Sequence, residues 1–178
     1  MSGDFEGLQR ETDNVGYPIL DIVHQLAEQA GDADCFVHWG ATTQAIIDTA
    51  SVLQIRLAIE LLEQKLLAIR QKMTRLAARR RDTPMAGRTH LQQALPITFG
   101  YKVAVWLSMV GRHLDRLTDL RAPVPVGSLS GAAGTLASLG DGGFEVQAAL
   151  CEDLGLVQPA FTCTQRGTTW PRSSACLD

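Results

Sequence analysis

From Gln44 to Arg81 the sequence contains neither glycine nor proline, and the next helix breaker is Pro84. Within this run Ile46, Ala50, Leu53 and Leu57 recur at steps of four, three and four, and Leu62, Leu66, Ile69, Met73 and Leu76 continue the beat after a shift of phase. Such steps place side chains on one face of an α-helix. Arg79, Arg80 and Arg81 favour the negative end of its dipole. A helix of this length extends about 55 Å, more than a small globule can cover. Ile47, Leu61 and Leu67 form a second apolar set, so more than one face calls for burial. A single chain of 178 residues cannot supply that much surface. The run therefore predicts association of copies through the rod, together with packing residues missing from the chain.

The remaining segments also read as helical. Residues 15–30 carry Ile19, Ile22, Val23, Leu26 and Ala30 at helical spacing and stop at Gly31. A loop follows over 31–43. Another helix is expected from about Pro96 to Leu120, with Phe99, Val103, Trp106, Leu107, Val110, Leu114 and Leu117 apolar; proline suits its first turn, where the N–H would be unpaired anyway. Residues 122–143 are rich in proline and glycine, and a further helix is expected over about 144–154. No segment shows strand alternation, so the expectation is an all-α chain. Its expected divisions are a helical region over 1–94, the start of a second helical region over 95–166, and an aperiodic tail over 167–178.

Composition narrows the partners. With 46% hydrophobic and 20% charged residues and a net charge of −3, nothing electrostatic favours nucleic acid or an anionic membrane. No apolar run is long enough to span a bilayer. The acidic start, Met-Ser-Gly-Asp-Phe-Glu, lacks the apolar core of a secretory signal. Cys35, Cys151, Cys163 and Cys176 form no Cys-x-x-Cys pair, which argues against a zinc site or a disulfide framework. A cytoplasmic location is expected.

Two polar segments carry the chemistry. Met85-Ala-Gly-Arg-Thr-His-Leu-Gln-Gln-Ala-Leu-Pro-Ile-Thr-Phe-Gly100 puts Arg88, Thr89, His90 and Gln92 into one short stretch. Such groups suit the gripping of a carboxylate-rich molecule and the movement of a proton on it. His38-Trp-Gly-Ala-Thr-Thr-Gln44 has the same character and leads into the long helix. Loops held by rigid helices commonly carry catalytic groups, and helix N-termini favour anions. Thr42 and Thr43 sit at such an N-terminus; for Thr43 simple capping and substrate contact stand as equal alternatives. His24, placed mid-helix, and His113, among Arg112, Asp115 and Arg116, read as structural or surface residues. Gly127-Ser-Leu-Ser-Gly-Ala-Ala-Gly-Thr135 lacks the Gly-Lys-Ser/Thr ending of a phosphate loop. It reads instead as a small-residue loop that lets backbone approach a ligand or another subunit.

At these residues the chain resembles the fumarase/aspartase superfamily, in the branch of adenylosuccinate lyase and 3-carboxy-cis,cis-muconate cycloisomerase. His38-Trp-Gly-Ala-Thr-Thr-Gln with Asp48-Thr-Ala50 is similar to a first signature, His-x-Gly-Ala-Thr-Ser-x-Asp followed by Asp-Thr-Ala. Gly87 to Gly100 is similar to the second, and Gly131-Ala-Ala-Gly-Thr135 and Thr164-Gln-Arg166 fit later, weaker positions. The resemblance covers about residues 10–166. It implies an elongated helical bundle with one long central helix, a homotetramer built through the long helices, and active sites each assembled from three subunits. It further implies a small polycarboxylate substrate and no metal or organic cofactor. By this resemblance His90 is the general acid/base and His38 assists it. Thr42 and Thr43 hold a carboxylate, and Arg88, Thr89, Gln92 and Gln165 bind substrate.

The chain departs from the pattern at Thr43, where serine is usual, and at Ala45, where aspartate is usual. The family's third signature, a mobile loop with the catalytic serine base, does not occur in the sequence. The mismatch around Thr162–Gly167 and the aperiodic tail read as a shifted reading frame or a fragment, so the chain alone is expected to be weak or inactive. His-Trp-Gly-Ala-Thr-x-Gln and Leu53-Gln-Ile-Arg56 favour a cycloisomerase that lactonises a muconate tricarboxylate in protocatechuate catabolism, in a truncated form. Fumarate-releasing elimination of the adenylosuccinate lyase type is the alternative, followed by a non-catalytic oligomerisation fragment.

Overall fold

The computed structural model describes residues 3–121 and 126–159. Five helices and one hairpin follow in the order α1 (Phe5–Val15), α2 (Ile19–Ala30), a 3-10 turn (Gly31–Phe36), α3 (Thr43–Arg79), β1 (Pro84–Thr89), β2 (Gln92–Thr98), α4 (Phe99–Arg121), a second 3-10 turn (Ala137–Gly142) and α5 (Gly143–Leu154). The described residues divide into two units, one from 3–53 with 126–159 and the other from 54–121. The boundary expected at 94/95 falls within β2.

Helix α3 has 37 residues, close to the run read from the sequence. The helix expected over 15–30 is shorter, starting at Ile19 after Pro18, and a separate α1 precedes it. Asp4 caps α1 by accepting from the N–H groups of Glu6 and Gly7 at 3.1 and 3.0 Å. Gly16, at φ 90°, ends it. Gln25 on α2 ties the two together: its Oε1 accepts from the Asp4 N–H at 3.0 Å, and its Nε2 donates to the Asp4 carbonyl at 3.1 Å.

In the first unit the start of α3 packs beside the segment Gly127–Gly131, all five residues of which are buried. The Thr49 hydroxyl donates to the Ser128 carbonyl at 3.2 Å and accepts from the Ser128 N–H at 3.0 Å. Gln147 on α5, 2% exposed, donates from Nε2 to the Leu129 carbonyl at 2.6 Å and accepts from Gln158 at 3.0 Å. Backbone passing through a core needs such partners, because an unpaired buried peptide group is costly. The first five residues of the segment read from the sequence as an approach to a ligand or subunit thus run within this unit's own interior, while Ala132, Ala133 and Thr135 are exposed. Ile19, Ala45, Leu129, Leu136, Cys151 and Leu156 supply the buried apolar surface. Burial pushes the Cys151 thiol above its ordinary range, and a hydrogen bond with the Gly127 backbone opposes that rise.

The second unit holds the rest of α3, the hairpin and α4. The N–H groups of Phe99 and Gly100 donate to the Thr83 and Arg80 carbonyls at 2.8 and 2.9 Å. A Cβ on Gly100 would lie 2.6 Å from the Arg81 Cα, so only glycine permits this approach of α4 to the end of α3. Val103, Ile59 and Leu114 are buried, and Arg121 pairs with Glu63. Leu57, Leu61 and Leu62 on α3 remain more than half exposed, on the helix whose sequence called for more cover than one chain provides.

The hairpin corrects the expectation that strands are absent and that a helix begins at Pro96. Pro96 lies in β2 opposite Ala86, and α4 begins at Phe99. β-Branched Ile97 and Thr98 favour the strand, and the Thr98 hydroxyl caps α4 by accepting from the Tyr101 N–H at 3.2 Å. The register slips between Ala86 and Arg88. At Gly87 a Cβ would meet the Leu95 carbonyl oxygen at 2.6 Å, so glycine is needed there too.

Thr49→Val keeps the shape but strands the buried Ser128 peptide groups; chemical denaturation is expected to show a loss of about 1–3 kcal/mol, and a neutral result would refute the role given to Thr49. The raised Cys151 pKa stabilises the fold below the ordinary thiol range near about 8.5, because above it the unfolded chain ionises first. Stability measured against pH is therefore expected to fall through that range, and the fall should be smaller in Cys151→Ala.

Candidate functional site

The polar residues singled out in the sequence fall into two groups, one in each unit. The first follows the 3-10 turn at Gly31–Phe36, where Asp34 and Phe36 accept from the N–H groups of Val37 and Trp39. The next four residues fold back, with the Ala41 N–H donating to the His38 carbonyl at 3.1 Å. His38 has φ 64° and Gly40 φ 69°. Glycine adopts this region freely, whereas histidine there costs about 1–2 kcal/mol. The half-buried His38 ring holds its Nδ1 away from solvent without a hydrogen-bond partner.

Thr42 immediately follows and caps α3, its hydroxyl accepting from the Ala45 N–H at 3.1 Å. Capping thus falls to Thr42 rather than Thr43, which is the first residue of the helix. Gln44 donates to Asp48 at 2.6 Å, joining two motif residues one turn apart. Together these residues form a turn leading to a helix N-terminus, an arrangement suited to a carboxylate.

The second group occupies the hairpin end. Thr89 closes β1, Gln92 opens β2, and His90 and Leu91 form the turn between them. Arg88, Thr89, His90 and Gln92 are all exposed. Gln92 Nε2 donates to the Thr89 hydroxyl at 3.4 Å. Leu91 has φ 54° and is 95% exposed. A leucine in the left-handed region, with its side chain in solvent, gains no burial to offset that cost. Such outliers gather at functional sites because surrounding structure must hold them. The tip combines an imidazole able to give or take a proton with hydroxyl, amide and guanidinium donors able to orient an anion.

Gln165, the remaining candidate, lies outside the described residues. Among the described residues no three His, Cys, Asp or Glu side chains cluster so as to hold a metal ion, and no helix is long and apolar enough to cross a membrane. The sequence does not reveal the bonding roles of Thr49, Gln147 and the indole of Trp39, whose Nε1–H donates to the Ser138 carbonyl at 3.0 Å. Each acts on a peptide group far away in the chain, and no local pattern marks such a partner. The serines flanking Leu129 were the available hint, since small residues permit close packing.

The sequence model of the family described as "Lyase" matches residues 10–172. The chain is 45% identical over 148 residues to 3-carboxy-cis,cis-muconate cycloisomerase of Pseudomonas aeruginosa, covering 81% of this chain and 32% of that protein. It is 42% identical over 148 residues to adenylosuccinate lyase of Pyrococcus abyssi, covering 83% and 33%. Among solved structures, a fumarate lyase from Mesorhizobium superposes with a TM-score of 0.85 at 52% identity, over 91% of this chain and 38% of that one. The chain thus spans about a third of the length of the curated relatives it matches.

Leu91→Gly removes the left-handed penalty without deleting a buried contact. It is expected to raise stability by about 1 kcal/mol, seen as a later denaturation midpoint; an unchanged or earlier midpoint would show that Leu91 is unstrained.

Proposed function

The chain belongs to the lyase family of the fumarase/aspartase superfamily, and we propose that it takes part in 3-carboxy-cis,cis-muconate cycloisomerase-type lactonisation. The observation that carries the chemistry is the hairpin tip, which joins His90 to Thr89, Gln92 and Arg88 on one exposed turn. The substrate choice draws support from His38-Trp39-Gly40-Ala41-Thr42 with Gln44 and from the 45% identity to the Pseudomonas aeruginosa cycloisomerase.

In this reaction one substrate carboxylate oxygen adds to a carbon of an activated double bond, forming the lactone C–O bond. The electron pair of that double bond moves toward the neighbouring carbon and its carboxylate, giving an aci-carboxylate. His90 then delivers a proton to that carbon. Donors placed where charge develops lower the barrier: Arg88, Thr89 and Gln92 serve at the tip, and Thr42 and Thr43 with the N-terminus of α3 receive a further carboxylate. His38 orients or assists, and Gln165 adds a substrate contact. The reaction calls for no metal or organic cofactor. Several copies, associated as a tetramer through the long helices in the cytoplasm, complete each site; the exposed Leu57, Leu61 and Leu62 support such association.

The second reading is elimination of the adenylosuccinate lyase type, favoured by the 42% identity to the Pyrococcus abyssi enzyme. There His90 acts on a proton beside a carboxylate, and fumarate departs. Parallel assays separate the readings. In a full-length protein that carries this segment together with the serine loop, loss of diene absorbance from 3-carboxy-cis,cis-muconate is expected, reduced by about 10²–10⁴-fold in His90→Gln. Fumarate release from adenylosuccinate would overturn the lactonisation reading. Turnover of neither substrate by that full-length protein, with association between copies retained in light scattering, would favour a non-catalytic oligomerisation role.

A further inference from the structure

Trp39 occupies the variable position of the first signature, between His38 and Gly40, and the family resemblance gives it no role. The residue is 60% exposed, so burial alone does not account for its placement. Its indole N–H nevertheless donates to the Ser138 carbonyl at 3.0 Å, across 99 positions of sequence. The next residue is seated on the same support. A Cβ on Gly40 would lie 2.7 Å from the Leu139 Cγ, so Gly40 rests directly on that side chain. Two consecutive turn residues, Trp39 and Gly40, thus meet two consecutive residues, Ser138 and Leu139.

The support is itself fixed. The Leu139 N–H donates to the Leu136 carbonyl at 2.9 Å, and the Leu136 N–H donates to the Ser130 carbonyl at 3.0 Å. Ser130 belongs to the buried segment Gly127–Gly131. A chain of contacts therefore runs from the interior of this unit, through Leu136 and Leu139, to the turn that bears His38.

His38 needs such a constraint. It is held at φ 64° without being glycine, and its Nδ1 lies out of solvent with no partner. Both features are unfavourable and persist only when the surroundings enforce them. The local hydrogen bonds from Trp39 to Phe36 and from Ala41 to His38 close the turn, and the indole bond together with the seating of Gly40 against Leu139 and Gly131 joins it to a distant part of the chain. One exposed hydrogen bond and one left-handed non-glycine residue are of similar energetic size. Losing the first therefore removes a stabilisation comparable to the cost of the second while leaving the fold in place.

We propose that Trp39 is a positioning residue: its indole N–H, bonded to the Ser138 carbonyl, holds the His38 turn in its left-handed conformation and so sets the orientation of the imidazole. The functional importance of that orientation rests on His38 belonging to the site proposed above, whereas the anchoring itself does not.

Trp39→Phe keeps an aromatic ring and deletes the donor. In the intact chain, diethylpyrocarbonate labelling read histidine by histidine by mass spectrometry should show the His38 rate changed several-fold, with His24, His90 and His113 unaffected. The strong intraresidue HN–Hα NOE of His38, the mark of positive φ, should weaken in parallel. Ser138→Ala, which preserves the carbonyl acceptor, should leave both readouts at their original values. An unchanged His38 rate and NOE in Trp39→Phe would overturn the proposal. If Trp39→Phe unfolds and all four histidines change together, hydrogen exchange of the indole N–H in the unsubstituted chain decides: protection relative to free indole supports the anchor, and free exchange refutes it. None of these measurements uses turnover, so inactivity of the chain would count against the functional reading without touching this one.

Discussion

The apolar surface of α3 exceeds what the described helices cover. The first turns of α3 bury Ala45 and Thr49, and its last residues receive α4 through Gly100. Between these ends lie Leu57, Leu61 and Leu62, largely in solvent. Apolar side chains exposed at helical spacing are the usual mark of a surface that another helix covers.

Much of the helical plan was legible because helix periodicity is local. The limits of α3 follow from steps of three and four and from the lack of glycine or proline up to Pro84, and α5 is closed by Gly155 at φ 60°. The hairpin was not legible for an equally physical reason. Gln92–Thr98 does not alternate between buried and exposed faces, and its turn uses His90-Leu91 rather than the Asn-Gly or Asp-Gly that announces a hairpin. Pro96 pointed to a helix start, but the strand accommodates it and Thr98 performs the capping.

The candidate site was legible as chemistry and opaque as geometry. Imidazole, hydroxyl and amide groups stand together in both motifs, and the structure shows Thr89, His90 and Gln92 sharing one turn. What no residue type reveals is strain. Among the described residues the non-glycine positions with positive φ are His38, Leu91 and Leu136; two lie within the motifs, and the third belongs to the support of the first. Nor could spacing reveal that Thr49 and Gln147 would bind peptide groups 79 and 18 positions away.

That manner of binding has a consequence for tolerance to sequence drift. Thr49 and Gln147 recognise main-chain atoms of residues 128 and 129, which every amino acid can present apart from proline at 128. Exchange among compact side chains along the gripped strip therefore preserves the hydrogen bonds, whereas the gripping hydroxyl and amide have few chemical substitutes. Variation permitted by the interior of this unit should accumulate on the strip, leaving its two holders comparatively invariant.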